Sequence, residues 1–168
     1  IMGGLRPGNA AVPLDADMKA HLRTHWQAVH EQTGQPFAWN WLDRDDFIYD
    51  TAPAAHAVVA TRRLAPTREY EFFRATQAAF YAHGEDVTQE KVLMNLATES
   101  GLDAIEFQHC YRQSDSLNMT HADFQLTQKL GVQGFPTLLL RIGDGLTPVA
   151  QGYLPYERLE PVLRGLLN

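Results

Sequence analysis

Apolar and polar positions alternate with the period of an amphipathic helix through the first two thirds of the chain. The first such stretch, PLDADMKAHLRTHWQAVHEQTG, carries apolar side chains three or four residues apart, at Met18, Leu22, Trp26 and Val29. Because residues at this spacing share one face of a helix, the pattern predicts an amphipathic helix. Asp15 is placed to cap its start and Gly34 to end it.

Five more helices are predicted after an aromatic-rich connection, QPFAWNWLDRDDFIYD. Thr51 and Thr88 stand at expected N-cap positions, and Pro53 is tolerated in a first helical turn. Glycine follows three of these helices and stops them, as it stops the first. The five segments are TAPAAHAVVATRRL, TREYEFFRATQAAFYAHG, TQEKVLMNLATESG, DAIEFQHCYRQS and MTHADFQLTQKLG.

The two ends of the chain have a different character. IMGGLRPGN is predicted to be the end of a strand that runs into a glycine- and proline-rich loop. Near the other end, PTLLLRIG and TPVAQGY are predicted strands, and the short turn DGL between them indicates an antiparallel hairpin. LPYERLEPVLRGLLN closes the chain as a helix. Without the helical middle, the element order is strand, helix, strand, strand, helix.

The stretch GVQGFPTLLL, residues 131–140, places a proline at the start of a strand. Proline has no N–H, so a paired strand tolerates it at its first residue. A proline that follows glycine and an aromatic residue is also a candidate for a cis peptide bond, which would expose the backbone of Phe135. An exposed N–H and C=O can pair with an extended peptide. The alternative is that Pro136 only begins an edge strand and Gly131 only caps a helix.

Composition and charge argue against two classes of function. The chain has 168 residues and a net charge of −6, and Arg62–Arg63 is its one basic cluster. Binding to nucleic acid is therefore not expected, because it relies on clustered Lys and Arg. No apolar run approaches the ~20 residues that span a bilayer. The single cysteine, Cys110, excludes an intramolecular disulfide and is predicted to be a buried, inert thiol.

Three clusters that resemble binding sites have simpler structural interpretations. His21 and His25 have the spacing of two metal ligands on a helix, but no third ligand accompanies them. The acidic stretch at residues 43–46 lacks the glycine and the final glutamate of an EF-hand loop. Trp39 and Trp41 are expected to pack against the helical region rather than to line a ligand pocket. No metal site is predicted.

Several stretches together resemble the DsbA-like thioredoxin family. KLGVQGFPTLLLRIGDG and QGYLPYERLEPVL resemble the C-terminal part of that family, and MGGLRPG, HWQAVHEQTGQPF and FIYDTAPA resemble its branch of cytoplasmic-type thiol-disulfide oxidoreductases, also called protein-disulfide isomerases. The resemblance implies an α/β thioredoxin fold with a helical insertion domain between the two halves of the core. The core would comprise residues 1–12 and 121–168, and the insertion residues 13–120.

The resemblance also implies a substrate-binding groove. Its predicted residues are Gly134, Phe135, Pro136, Thr137 and Thr51, the last in a segment near the groove that also holds Tyr49, Asp50 and Pro53. The family's Cys-x-x-Cys motif is absent from this sequence, so no catalytic residue is predicted within it. That motif, with its strand and helix, is expected upstream of Ile1, because the strand ending at Met2 and the strand of Leu138–Leu140 otherwise lack ladder partners.

Three functions compete on these observations. The first is a thiol-disulfide oxidoreductase that acts on protein or small-molecule thiols and disulfides in the cytoplasm. The second is a glutathione-dependent enzyme similar to kappa-class glutathione transferases and 2-hydroxychromene-2-carboxylate isomerases. The third is a non-catalytic thioredoxin-fold module that binds extended peptides. No cofactor is expected, although glutathione is a candidate co-substrate. Nucleic-acid and membrane partners are not expected, and a homodimer is an allowed assembly.

Overall fold

The computed structural model describes residues 1–8, 11–45 and 47–167, and the chain forms two compact units. One, here called the helical unit, is Met2–Asp123. The other, here called the hairpin unit, comprises Ile1 and Phe124–Asn168. The predicted division into residues 1–12 with 121–168 and residues 13–120 stays a prediction.

Six helices follow one another from the first unit into the second. They are α1 (Ala16–Thr33), α2 (Ala52–Leu64), α3 (Glu69–Gln77), α4 (Glu90–Glu99), α5 (Ala104–Arg112) and α6 (Ser114–Lys129). Short 3-10 turns occupy Trp39–Asp43 and Pro66–Arg68, and a π turn continues α3 over Ala78–Ala82. The caps predicted for α1 are confirmed: the Asp15 side chain accepts the Met18 N–H, and Gly34 has a φ of 70°.

The N-cap of α2 is the predicted residue, but a different side chain makes the capping hydrogen bond. Thr51 is the N-cap residue, yet its side chain makes no capping hydrogen bond. Its hydroxyl oxygen instead accepts the Arg6 N–H at 3.2 Å. Asp50 Oδ1 accepts the Ala52 N–H at 2.8 Å, so the neighbouring carboxylate satisfies the first turn. A carboxylate is a stronger acceptor than a hydroxyl for this purpose.

Two other helix starts differ from those predicted. Helix α4 has Gln89 at its N-cap, and the predicted cap Thr88 donates its hydroxyl to Asp86 Oδ1 instead. Helix α6 begins at Ser114 rather than near Met119, so only Gln113 separates it from α5. At α4 the hydroxyl of Thr88 is used by Asp86, and at α6 the Ser116 and Leu117 N–H groups donate to the Gln113 carbonyl, which begins the helix earlier.

The strand predicted at the N-terminus is wrong for the described residues. Residues 1–4 have no regular structure, and the Met2 N–H donates to Asp123 Oδ2 at 2.7 Å. A strand needs a neighbour that completes its ladder, and the described part of the chain places none beside this segment. Only an isolated bridge, Pro13 with Ile48, forms outside the hairpin among the described residues.

The helical unit is built around α2. Four consecutive residues of α2, Ala57–Ala60, are at most 1% exposed, and the helix packs against α3, α4 and α5. The prediction that the tryptophans pack against the helical region is confirmed. Trp41 is buried in the core, where its Nε1–H donates to the Phe80 carbonyl at 3.1 Å, and Trp39 is partly buried against the same core. The other large buried side chains include Phe72, Leu93 and Phe107.

Gly84→Ala is expected to lower the free energy of unfolding by about 1 kcal/mol more than Gly34→Ala. Both glycines have φ near 70°, so both substitutions share the same backbone cost. A Cβ at Gly84 would lie 2.9 Å from Asn40 Oδ1 and 3.2 Å from Ala38 Cβ, whereas Gly34 has nothing within 4 Å. Urea unfolding of the two variants measures the difference, and equal losses would contradict the packing at Gly84.

His56 connects α2 to the helices that follow it. Its Nε2 lies 2.6 Å from the Tyr111 carbonyl oxygen, and its Nδ1 lies 3.0 Å from Thr120 Oγ1. Because a carbonyl oxygen can only accept, Nε2 carries the proton of the neutral imidazole. Burial lowers the pKa of His56, and hydrogen bonds with backbone groups oppose this only in part.

Stability is therefore expected to fall as the pH drops below about 6.5, the ordinary pKa of histidine. The unfolded chain then binds a proton that the folded chain takes up only at lower pH, so the loss continues down to the folded-state pKa. The slope stays below about 1.4 kcal/mol per pH unit, the limit for one proton. Urea unfolding between pH 7.5 and 5 checks this, with His56→Gln expected to flatten the profile and His21→Gln as control. An unchanged profile in His56→Gln would contradict it.

The hairpin unit contains the only sheet of the described residues. Strands β1 (Thr137–Ile142) and β2 (Gly145–Gln151) are antiparallel, as predicted, and α7 (Tyr156–Leu167) follows them. The register shifts between Leu138, which faces Ala150, and Leu139, which faces Pro148. The extra residue forms a bulge beside Pro148, where a proline has no N–H to give to the ladder.

Candidate functional site

The loop that joins α6 to β1 leaves the helix in a fixed direction. The Gly131 N–H donates to the Gln128 carbonyl at 2.9 Å, and the Val132 N–H donates to the Thr127 carbonyl at 3.2 Å. These two bonds form a Schellman motif, which requires the left-handed backbone that Gly131 adopts, with φ at 69°. Gly131 therefore sets the direction in which the loop of the site leaves α6.

Two hydrogen bonds hold the tip of this loop. Thr137 Oγ1 donates to the Gly134 carbonyl at 2.7 Å and closes a turn across the two residues between them. The Gly152 N–H donates to the Pro136 carbonyl at 2.7 Å and ties the loop to the end of β2. The Phe135–Pro136 peptide bond is cis. The loop is thus braced from within and from the neighbouring strand.

A cleft of about 340 Å³ opens beside this loop. The Phe135 side chain is 48% exposed, although it is large and apolar. Within the described residues, the N–H and C=O of Phe135 make no hydrogen bond. The cleft lining combines free backbone groups with polar side chains and one aromatic ring. Its residues are Gly131, Gln133, Gly134, Phe135, Thr137, Gln151 and Gly152.

The structure brings together most of the predicted site residues. Gly134, Phe135 and Thr137 line the cleft, and Pro136 lies between them with its carbonyl bound to Gly152. Thr51 belongs to the helical unit, where it lines an apolar pocket with Tyr49 and Asp50. A single groove that includes Thr51 and the loop stays a prediction.

Four cleft residues are absent from the predicted set: Gly131, Gln133, Gln151 and Gly152. Gln151 and Gly152 reach the cleft because Gln151 pairs with Thr137 across the hairpin. The sequence could have indicated this pairing only if the bulge beside Pro148 had been placed correctly. A shift of one residue would assign a different partner to Thr137.

Cys110 lies in α5 of the helical unit and is 8% exposed. Its Sγ is 3.5 Å from the Ala60 carbonyl oxygen and 3.6 Å from Ser116 Oγ. The thiol donates to the carbonyl, and helix packing shields it from solvent. The prediction of a buried thiol is confirmed. The geometry gives Cys110 a packing role in the core.

Cys110 is accordingly expected to react with iodoacetamide at least about 100-fold more slowly in the folded protein than in urea, because the helices must open first. Mass spectrometry of timed samples measures both rates. Comparable rates would show that the thiol is accessible in the folded state.

The described ranges hold no cluster of metal-binding side chains. No group of three or more His, Cys, Asp or Glu side chains in them is placed to hold a metal ion. In the acidic stretch, Asp43 pairs with Arg23 at 2.9 Å and Asp45 with Lys19 at 2.7 Å, whereas Asp46 lies outside the described residues. The helices of the described ranges include none with the length and apolarity that a bilayer crossing requires.

The fold resembles solved structures that are named for disulfide chemistry. A family model described as Thioredoxin matches residues 18–142. A candidate protein disulfide isomerase from Nitrosomonas europaea is 34% identical, with a TM-score of 0.89. The superposition covers 96% of this chain and 78% of that one. The cytosolic disulfide reductase DsbM from Pseudomonas aeruginosa is 27% identical, with a TM-score of 0.78 over 98% of this chain and 81% of that one. Its structure with GSH gives a TM-score of 0.76.

Curated relatives with similar sequences carry another name. The ClpXP adapter protein SpxH of Bacillus licheniformis is 30% identical over 154 residues, which are 89% of this chain and 50% of the adapter. SpxH of Bacillus subtilis is 24% identical over 153 residues, 87% of this chain and 51% of the adapter. The chain thus spans about half the length of these relatives.

Proposed function

Because the chain belongs to the thioredoxin family, whose model matches residues 18–142, we propose that it provides the substrate-binding loop of a thiol-disulfide oxidoreductase of the DsbA type. The observation that carries the proposal is the braced loop Gly134–Thr137, which presents an exposed aromatic ring and free backbone groups to a cleft. Two solved relatives named for disulfide isomerase and reductase activity support it.

The loop binds its ligand as an extended segment. The free N–H and C=O of Phe135 pair with the backbone of the ligand, as in the addition of a short strand. The Phe135 ring covers an apolar part of the ligand, and Gln133 and Gln151 offer side-chain amides at the cleft wall. Backbone pairing is independent of sequence, so this site accepts different peptides, including glutathione.

The redox step requires two cysteines that are not in the 168-residue sequence. In this function they belong to a segment outside it. One thiolate attacks a substrate disulfide, forms a mixed disulfide and releases one substrate thiolate. The second thiolate then displaces the other substrate sulfur, so two electrons pass to the substrate and the enzyme dithiol becomes a disulfide. Two glutathione molecules restore the dithiol and leave as glutathione disulfide.

Glutathione is the proposed co-substrate because DsbM has a solved structure with GSH. DsbM is described as cytosolic, which supports a cytoplasmic location for this protein also. In this role the partners are protein or small-molecule thiols and disulfides.

A second candidate is a protein-binding module without redox activity. Two observations favour it: the only cysteine of the sequence is buried, and similar proteins are named ClpXP adapters. The same loop would then bind an extended segment of a protein to be delivered elsewhere. The two candidates share the loop and differ in ligand.

Calorimetry with two probes separates them. S-methylglutathione resembles glutathione but cannot exchange disulfides, and an extended hexapeptide of alternating Thr and Val lacks sulfur. The oxidoreductase predicts tighter binding of S-methylglutathione, and the adapter predicts tighter binding of the hexapeptide. Absence of binding by both probes at about 10 mM would remove both candidates.

A further inference from the structure

The π turn at the end of α3 places two aromatic side chains at the wall of a pocket in the helical unit. The His83 N–H donates to the Ala78 carbonyl at 3.0 Å, five residues back, which widens the last turn. The Phe80 and Tyr81 carbonyls accept hydrogen bonds from Trp41 Nε1 and the Ala38 N–H. Such single π turns occur often at functional sites.

The widened turn brings Phe80 and Tyr81 against Tyr49, which is 32 residues from Tyr81 in sequence. The rings of Tyr49 and Phe80 are nearly parallel, with centroids 5.4 Å apart and planes at 10°. The hydroxyl oxygens of Tyr49 and Tyr81 lie 2.7 Å apart. The stacked rings form an aromatic wall, and the two tyrosine hydroxyls form its polar end.

This wall bounds a pocket of about 100 Å³ that is open at one side. An engineered apolar cavity of about 150 Å³ in another protein stays dry and binds benzene. The present pocket is smaller than that cavity, so it can hold one aromatic ring whose outer part stays at the opening. Apolar side chains from several elements form most of the lining: Met2, Phe47, Ala54, Val58, Phe73, Phe80 and Val87.

The two phenols leave one hydrogen without an acceptor. Each carries one O–H, and a single hydrogen bond between them uses one of the two. Within the described residues, neither hydroxyl makes another hydrogen bond. Burial, with a smaller contribution from Tyr81, raises the pKa of Tyr49, and burial also raises the pKa of Tyr81. Both groups are therefore neutral hydroxyls at physiological pH, and one donor remains for a ligand.

The charges beside the pocket disfavour a charged ligand. Asp50 is one of the lining residues, and the Arg6 guanidinium lies 5.8 Å from the centre of the Tyr49 ring. These opposite charges offset each other, so neither an anion nor a cation is favoured. Because an ion would also lose hydration against the mostly apolar lining, the pocket favours a neutral molecule.

We propose that this pocket binds a small neutral aromatic molecule, about one ring in size, whose oxygen accepts a hydrogen bond from the Tyr49–Tyr81 pair. Every residue that lines this pocket belongs to the helical unit, and no loop residue contributes to it. Its ligand class is that of aryl ketones, aryl aldehydes and similar compounds.

Acetophenone and ethylbenzene test the proposal, because they differ only in the carbonyl oxygen. Amide chemical shifts of the full chain are followed during titration with each probe. Acetophenone is expected to bind saturably with a dissociation constant in the millimolar range or below, and about three- to tenfold more tightly than ethylbenzene. Shifts are expected at residues that line the pocket.

Two variants and one control complete the test. Ala54→Leu fills the pocket and is expected to abolish binding of both probes, while the double variant Tyr49→Phe, Tyr81→Phe removes both O–H donors and is expected to remove the preference for acetophenone. Tyr70→Phe changes an exposed tyrosine of the same unit and should leave both affinities unchanged. If neither probe binds saturably, or if Ala54→Leu binds the probes as tightly as the wild type does, the proposed site is wrong. An unchanged preference in the double variant Tyr49→Phe, Tyr81→Phe would overturn the role of the phenols.

Discussion

Asp123→Ala is expected to lower the free energy of unfolding by about 3 kcal/mol, because it leaves a partly buried guanidinium without its main partner. Arg62 Nη1 and Nη2 donate to the two oxygens of Asp123 at 3.1 and 2.9 Å, and Nε donates to Glu69 at 2.7 Å. The Asp123 side chain is 12% exposed and also accepts the Met2 N–H. Although burial lowers the pKa of Arg62, its hydrogen bonds to Asp123 and Glu69 outweigh that effect and raise it.

Asp115→Ala is the matched control, because it removes the same side chain from the same helix. Asp115 pairs with Arg63 at 3.2 Å, but its side chain is 69% exposed. Exposed ion pairs contribute about 0–1 kcal/mol. Urea unfolding of the two variants should therefore give clearly unequal losses. Similar small losses would show that the Asp123 network adds little to the stability of the helical unit.

Phe135→Ala is expected to weaken binding of S-methylglutathione by at least about tenfold. Burying the exposed half of this ring against a ligand removes on the order of 80 Å² of apolar surface from water, which stabilises the complex by about 2 kcal/mol. Calorimetry of wild type and variant measures the loss. The loop backbone remains in the variant, so part of the affinity should survive.

Leu146→Ala controls for loss of an exposed apolar side chain in the same unit. Leu146 and Phe135 are both 48% exposed, but Leu146 lies at the turn end of the hairpin, outside the cleft lining. Its substitution should change the affinity by less than about twofold. If the two substitutions lowered the affinity for S-methylglutathione equally, a specific role of Phe135 would be contradicted.

The fold class could be predicted because its signals are local. The run from Gly131 to Thr137 and the hairpin after it are short, contiguous patterns, and the α/β thioredoxin fold with a helical insertion that they imply is confirmed by the solved relatives. The caps of α1 were predictable for the same reason, since Asp15 has no competing acceptor next to it. At α2 the neighbouring residues Asp50 and Thr51 competed, and sequence alone favoured the wrong one.

The remaining features depend on contacts between distant residues. Tyr49 and Tyr81 meet only because a π turn widens the end of α3, and nothing in the sequence marks that turn. The cleft residues Gln151 and Gly152 depend on a bulge that shifts the hairpin register. The N-terminal strand was predicted from composition, but a strand also needs a partner.

The position of the ligand tests the central claim most directly. Amide chemical shifts of the isotope-labelled chain would be recorded during titration with S-methylglutathione. We expect the saturable shifts to concentrate at residues 131–137 and at Gln151 and Gly152, and the signals of Cys110 and its neighbours in α5 to stay unchanged. Shifts confined to the helical unit, with the loop unaffected, would contradict it.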